Sequence, residues 1–284
     1  MPLRVVQTID EVRASVAARR GSGAVGLVPT MGALHAGHAR LIESARAECA
    51  TVVVSIFVNP LQFDRADDLA RYPRPLQADV SLCEQLGVDL VFAPAPREIY
   101  PEPPDVTVHV GQTAKHLCGA FRPGHFDGVA TVVLKLFTIV QPEVAYFGEK
   151  DAQQLAIVRR MVADLNLPVR IAPVPTVREP DGLALSSRNQ QLTAAERALA
   201  PALFAALCAA RDAVAGGNTG AADVKRLAAV TIPADERLRL EYFELVDPWT
   251  FQPVARVTGP VVAAGALWAG STRLIDNLLC RPPA

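Results

Sequence analysis

Apolar, β-branched runs alternate along this chain with stretches whose apolar residues recur every three or four positions. The runs are AVGLVPT at 24–30, TVVVSIFV at 51–58, VDLVFAP at 88–94, EVAYFGE at 143–149 and VRIAPV at 169–174. Each reads as a strand buried on both faces. Segments 37–49, 75–86, 127–140 and 151–165 lie between them with helical spacing. Strands alternating with helices predict an α/β fold, a Rossmann-like, doubly wound parallel sheet covered on both sides. After VREPDGLALSSRN at 177–189 the texture changes. An Ala-rich helical stretch covers 193–215, GGNTG makes a loop, and a second helix covers about 220–230. LRLEYFELVDP, GPVVAAGALWAG and TRLIDNLL then read as short, antiparallel-looking strands separated by Pro and Gly. The pattern therefore predicts two domains, a Rossmann-like one over 1–177 and a smaller α+β one over 178–284.

In an open parallel sheet, ligands bind beyond the carboxyl ends of the strands. That rule singles out Thr30 to His38, Asn59 to Gln62 and Gly148 to Gln154, and all three clusters are polar. Composition narrows the partners. The chain has 284 residues, half of them hydrophobic, and a formal net charge of -1. A nucleic-acid binder relying on bulk positive charge is excluded, although a local basic pocket is not. Cys49, Cys83, Cys118, Cys208 and Cys280 are scattered, with no C-x-x-C pair. Neither a disulfide framework nor a thiolate zinc site is expected, and a reducing cytoplasm fits. The N-terminal MPLRVVQTIDEVRASVAARR lacks the uninterrupted apolar core of a signal peptide. No apolar run reaches the roughly 18 residues of a membrane helix, so no membrane partner is expected.

Four groups could carry chemistry. In TMGALHAGH, Gly32 and Gly37 permit close backbone approach. The helix opening near Gly37 offers unpaired N–H groups and a partial positive charge, to which His35 and His38 add donors. Three readings apply: a phosphate site, a pair of histidines capping a helix, and a metal site. The metal reading needs a third ligand, and His109, His116 and His125 have no matching spacing. In SIFVNPLQF, the Asn59 and Gln62 amides suit the hydroxyl and carboxylate of a small substrate, while Asn-Pro is also an ordinary turn initiator. In YFGEKDAQQL, Gly148 ends a strand, Lys150 sits at the next helix start and Asp151 is a plausible N-cap. Gln153 and Gln154 are adjacent, so they face different sides of that helix and at most one faces a pocket. In the 177–189 linker, Ser186, Ser187 and Arg188 form either a flexible positive clamp or a simple capped connection.

A strand followed by H-x-G-H at a helix start resembles the nucleotidyl-transferring superfamily that includes class I aminoacyl-tRNA synthetases. The longer PTMGALHAGH resembles the pantothenate synthetase (pantoate–β-alanine ligase) family more specifically. SIFVNPLQF, FRPGHFDGVATVVLKLF, G-E-K-D-x-Q-Q and S-S-R-N resemble it too, from about Leu27 to Asn189, while YFELVD and TRLIDN match more loosely. Two positions depart from the family pattern. Ala152 stands where an aromatic residue is common, and Leu185 stands where Met is usual.

The resemblance implies an enzyme that condenses pantoate with β-alanine using ATP, through a pantoyl adenylate, releasing AMP and pyrophosphate. It implies His35, His38, Lys150 and Arg188 as catalytic residues. Met31, Gly32, His35, Gly37, His38, Gly148, Lys150, Asp151, Val177, Leu185, Ser186, Ser187 and Arg188 would bind ATP. Gln62, Gln154 and Asn59 would bind pantoate and β-alanine, and Arg122 and His125 are further pocket candidates. Mg2+ is expected to arrive with the nucleotide, the sequence showing no protein cage for it. A homodimer is implied, as is a lid role for the smaller domain. The residue types suit this chemistry: a carboxylate nucleophile needs no strong base, and the candidates are donors to oxyanions. A related adenylyltransferase with a phosphate acceptor would explain H-x-G-H equally well but not the amides. A non-catalytic nucleotide-sensing module is the alternative outside the enzymes.

Overall fold

The first sheet is wholly parallel. Its strands are β1 (Arg4–Val6), β2 (Val25–Thr30), β3 (Thr51–Ile56), β4 (Leu90–Phe92), β5 (Val144–Gly148) and β6 (Arg170–Val174), in the spatial order β1-β4-β3-β2-β5-β6. The structure is a computed structural model describing residues 2–283; Met1 and Ala284, the outermost residues of the two expected domains, lie outside the described residues. Strands β2 and β3 have almost no polar face: Val25, Leu27, Val28, Val52, Val53 and Val54 are all inaccessible to solvent. That is the signature of a parallel sheet covered on both sides. Helices α1 (Ile9–Ala17), α2 (Ala36–Glu48), α3 (Ala66–Arg71), α4 (Leu76–Gln85), α5 (Pro96–Ile99), α6 (Cys118–Phe121), α7 (His125–Val140) and α8 (Ala152–Asp164) connect or flank these strands. Leu41, Ile42 and Ala45 of α2 and Cys83 of α4 pack on Val28, Val52 and Val54. Leu27 and Val53 point to the other side, as strand alternation requires.

Chain order reverses at β2. From it the chain passes to β3 and β4 on one side and returns to β5 on the other, so the switch point lies between β2 and β5. The predicted parallel sheet is found. β1 and α1 were not predicted, although Thr8 and Glu11 form a reciprocal capping box that the T-x-x-E spacing advertises.

The remaining strands, β7 (Leu238–Val246), β8 (Val261–Ala269) and β9 (Thr272–Cys280), form an antiparallel sheet with β8 in the centre. Helices α9 (Ala194–Leu199), α10 (Ala202–Ala215) and α11 (Ala221–Ala229) accompany it. The single helix expected over 193–215 is two, interrupted at Ala200–Pro201, because proline has no N–H to continue the ladder. Ala194–Ala215 is long and apolar enough to cross a membrane by length and composition. However, Leu203, Ala206, Leu207, Ala210 and Val214 form one face of α10 that packs on Phe243, Leu245 and Leu267 of the sheet.

The chain divides into two compact units. The first comprises residues up to Val110, Arg122–Glu149 and Ile157–Pro175; the second comprises Gly111–Phe121, Lys150–Ala156 and residues from Thr176 onward. Two excursions from the sequence before residue 176 thus belong with the C-terminal unit, and α8 contributes residues to both units.

Candidate active site

In the first unit, the loop leaving β2 turns sharply. Gly32 takes φ 84 and Ala33 φ 51. A side chain at Gly32 would also meet the carboxylate of Asp79 at 2.9 Å. Asp79, buried in the first turn of α4, accepts hydrogen bonds from the backbone N–H groups of Ala33 (2.9 Å) and Leu34 (2.8 Å). Burial pushes its carboxyl above the usual range, against the lowering effect of those two N–H groups. Sequence reasoning missed this residue, since an isolated Asp in a helix carries no signal of a partner some 45 positions away.

The two histidines cap α2 reciprocally. His35 is the N-cap residue, and its Nδ1 accepts from Gly37 N–H at 3.1 Å; His38 Nδ1 accepts from His35 N–H at 3.3 Å. The rings lie 4.2 Å apart, tilted by 46°. An accepting Nδ1 leaves the ring proton on Nε2. Both imidazoles therefore carry a donor on the nitrogen remote from the cap. Capping and ligand binding, posed as alternatives by the sequence, are compatible because each uses a different ring atom. A Cβ at Gly37 would lie within 3.0 Å of the His35 ring, so that glycine makes room for a histidine as well as for any ligand. Among the described residues, no three His, Cys, Asp or Glu side chains gather as a metal-binding group.

Gln62 is held from both its side chain and its main chain. It ends the 3-10 turn Pro60–Gln62, capped by the Asn59 side chain accepting from Leu61 N–H at 3.4 Å. The Asn59 amide donates to Gln62 Oε1 (3.2 Å) and to the Gly128 carbonyl (3.0 Å), and accepts from Tyr100 Oη–H (3.0 Å). Both of its donors are thus spent inside the protein, and in this arrangement Asn59 holds Gln62. Gln62 Nε2 donates to the Met31 sulfur at 2.9 Å. The Gln62 carbonyl accepts from Arg122 Nη2 (3.1 Å) and from His125 Nδ1 (2.7 Å), while Arg122 also reaches Asp64 at 3.2 Å. A carbonyl can only accept, which fixes the proton on His125 Nδ1 and leaves Nε2 to accept from Arg122 Nη1 at 3.3 Å. Gly128 lets α7 come this close: a Cβ there would sit 2.3 Å from the Leu61 carbonyl oxygen. Arg122, His125 and Gly128 therefore belong together as the clamp on one turn, which is why the FRPGHFDGV string sits where it does. Gln62 is buried, at 8% exposure, rather than an ordinary surface residue. Gly148 ends β5 beside the switch point.

The second unit holds the other candidates. Lys150 and Asp151 lie in the 3-10 turn Glu149–Asp151 that precedes α8, with Lys150 Nζ 3.7 Å from the Asp151 carboxylate. Gln153 is buried and committed to structure: it accepts from Cys118 N–H (3.1 Å) and donates to the carbonyls of Thr113 (2.9 Å) and His116 (2.8 Å). Gln154 is half-buried on a different side of the helix. Val177 and Leu185 face each other in a small hairpin, where Leu185 N–H donates to the Val177 carbonyl at 3.0 Å. The hairpin delivers Ser186, whose Oγ caps the 3-10 turn Ser187–Gln191 by accepting from Arg188 N–H at 3.3 Å. Ser187 and Arg188 are half-buried, and Asn189 Nδ2 donates back to the Ala184 carbonyl at 3.1 Å.

The family model described as pantoate-beta-alanine ligase matches residues 4–279. Pantothenate synthetase 1 of Bradyrhizobium diazoefficiens is 51% identical over 280 residues, which cover 98% of each chain. A bifunctional pantoate ligase/cytidylate kinase of Thermosynechococcus vestitus is 55% identical over 90% of this chain, and there the chain spans 50% of the relative's length. The crystal structure of pantothenate synthetase from Thermus thermophilus superposes with a TM-score of 0.92 at 48% identity, covering 97% of this chain and 99% of that one. The pantoate-beta-alanine ligase of Francisella tularensis, solved in complex with beta-gamma ATP and beta-alanine, gives 0.80 at 34% identity, covering 98% and 97%.

Proposed function

The chain belongs to the pantoate-beta-alanine ligase family, and from that premise we propose its reaction: ATP-dependent condensation of pantoate with β-alanine to pantothenate, AMP and pyrophosphate. The pantoate carboxylate attacks the α-phosphorus of ATP and pyrophosphate leaves, giving pantoyl adenylate. The amine of β-alanine then attacks the activated carbonyl, loses a proton and expels AMP. The observation that carries this reading is the reciprocal histidine cap: both Nδ1 atoms accept backbone N–H bonds, which leaves each ring proton on Nε2, and both rings stand at the α2 N-terminus in the loop that follows β2, a strand at the switch point of the sheet.

His35, His38, Lys150 and Arg188 are the catalytic donors, stabilising charge that grows on the phosphoryl oxygens and on departing pyrophosphate. Met31, Gly32, Gly37, Gly148, Asp151, Val177, Leu185, Ser186 and Ser187 complete the nucleotide contacts through backbone amides, hydroxyls and apolar walls. Gln62 and Gln154 bind pantoate. Gln62 can give up its bond to the Met31 thioether, a weak acceptor, for a substrate oxygen at small cost. Asn59, Arg122 and His125 act through Gln62 by holding its turn. Mg2+ enters with the nucleotide, ligated by phosphates and water. The protein works in the cytoplasm as a homodimer. Incubation with ATP, pantoate and β-alanine should yield pantothenate and AMP in equal amounts; release of ADP, or ATP binding with no turnover, would refute the assignment.

A further inference from the structure

The string TRLIDN lies on β9, remote in sequence from every assigned site residue. Two of its side chains nevertheless grip the two phosphate-donor segments of the C-terminal unit. Asn277 Nδ2 donates to the backbone carbonyl of Lys150 at 3.0 Å, across 127 positions of sequence. Asp276, next to it, accepts from Arg178 in bidentate fashion, Oδ2 from Nη1 at 2.5 Å and Oδ1 from Nη2 at 2.9 Å. The Asp276 side chain is 5% exposed and Arg178 is 18% exposed. Arg178 stands on one strand of the hairpin that delivers Ser186, bridged to Ala184 on the other. It also donates to the Gly182 carbonyl at 3.0 Å and lies over the Phe204 ring at 4.2 Å. Asp276 Oδ1 further accepts from the Asn277 N–H at 2.8 Å, joining the two grips into one network.

A buried ion pair is a weak source of stability, because desolvation offsets most of its attraction. A bidentate pair on a sheet strand is, however, a precise geometric fixture. We propose that Asp276 and Asn277 are positioning residues for adenylation, Asn277 setting Lys150 and Asp276 setting the Ser186–Arg188 loop through Arg178. The proposal rests on the phosphate roles assigned above to Lys150 and that loop. A misplacement of about 1 Å costs roughly 100-fold in rate, so loosening either grip lowers the rate of the chemical step more than it weakens substrate binding.

The test is pantoate-dependent ATP–pyrophosphate exchange by the full-length protein, assayed well below the lowest Tm of the set. Asn277→Asp keeps the size of the side chain but turns an acceptor toward the Lys150 carbonyl, and Asp276→Asn removes the charge opposite Arg178. Each should lower the exchange kcat by roughly 10- to 100-fold, with the KM for pantoate within about threefold of the wild type. If Asp276→Asn fails to fold, Asn277→Asp decides alone. Lys150→Ala keeps the gripped carbonyl and loses only the ammonium, so adding Asn277→Asp to it should cost little further. Wild-type exchange by Asn277→Asp, or losses that multiply fully in the double variant, would overturn the proposal. Normal exchange by Lys150→Ala alone would instead overturn the phosphate assignment beneath it.

Discussion

The histidine loop and the serine loop are assigned to the same nucleotide, yet they are held by different means. The His35–His38 segment is fixed largely by itself: each ring caps a backbone N–H within three positions, and Asp79 ties the approach to the helix. The Ser186–Arg188 segment carries a local serine cap, and its hairpin is anchored by a partner 98 residues away in sequence. The first loop is therefore preorganised within one turn of helix. The second depends on the integrity of the antiparallel sheet. A substitution in β9 should consequently affect catalysis, whereas the histidine loop should respond mainly to changes within itself and at Asp79.

The largest effect should come from the serine-loop unit, at Lys150. Lys150→Ala should slow adenylation by roughly 10²–10³-fold, the usual cost of a lost oxyanion donor, with little change in Tm. Near-normal single-turnover adenylation would remove the ammonium from the mechanism.

Histidine variants sharpen the contrast, because capping and ligand binding use different ring atoms. Asparagine is a good N-cap and glutamine serves at the third helical position of a capping box. His35→Asn and His38→Gln should thus keep Tm near the wild type while losing roughly 10- to 100-fold in adenylation, the worth of a hydrogen bond to a charged group. Early melting with normal catalysis would reduce both residues to caps.

Gln62→Ala should weaken pantoate binding by about 1–2 kcal/mol, through one unpaired substrate oxygen, and leave ATP affinity measured alone intact. Gln154→Ala should do the same, whereas Gln153→Ala should lower Tm because it strips three bonds from the 113–118 segment. Calorimetric titration with each ligand separates these outcomes, and weakened ATP binding in the first two variants would reassign them.

Asp79→Asn should have the smallest effect. One carboxamide oxygen cannot accept both loop N–H groups along the same two directions, so adenylation should fall by up to about tenfold. Burial raises the Asp79 carboxyl, so the folded state retains a proton over a pH range in which the unfolded chain has released it. Stability from this group is then present below its ordinary value and lost as pH rises through the raised one. Denaturant titrations over mildly acidic pH should show that slope in the wild type and a flatter one in Asp79→Asn; identical slopes would contradict it.

The parallel sheet was legible because Val52–Val54 and their like are apolar on both faces, and strand–helix alternation admits few topologies. The polar clusters after β2, β3 and β5 followed from that fold alone. Local devices were legible in principle too, including the histidine cap and the Thr8–Glu11 box. What sequence could not show is pairing across distance. Asp79 with the 33–34 backbone, Arg122 and His125 with the Gln62 carbonyl, and Asp276 with Arg178 are each an ordinary charged or polar residue until the fold brings its partner near. The separation of Lys150 from the preceding strand into the C-terminal unit is of the same kind, since nothing in GEKD marks a unit boundary.

The most direct test of the account is exchange of labelled pyrophosphate into ATP with pantoate present and β-alanine absent. A site built from oxyanion donors around a carboxylate nucleophile should complete the first step alone, so exchange should proceed with pantoate, stop without it, and fall in parallel with adenylation in the Lys150 and histidine variants. Exchange that appears only when β-alanine is added would contradict a separate acyl-adenylate step and the residue roles derived from it.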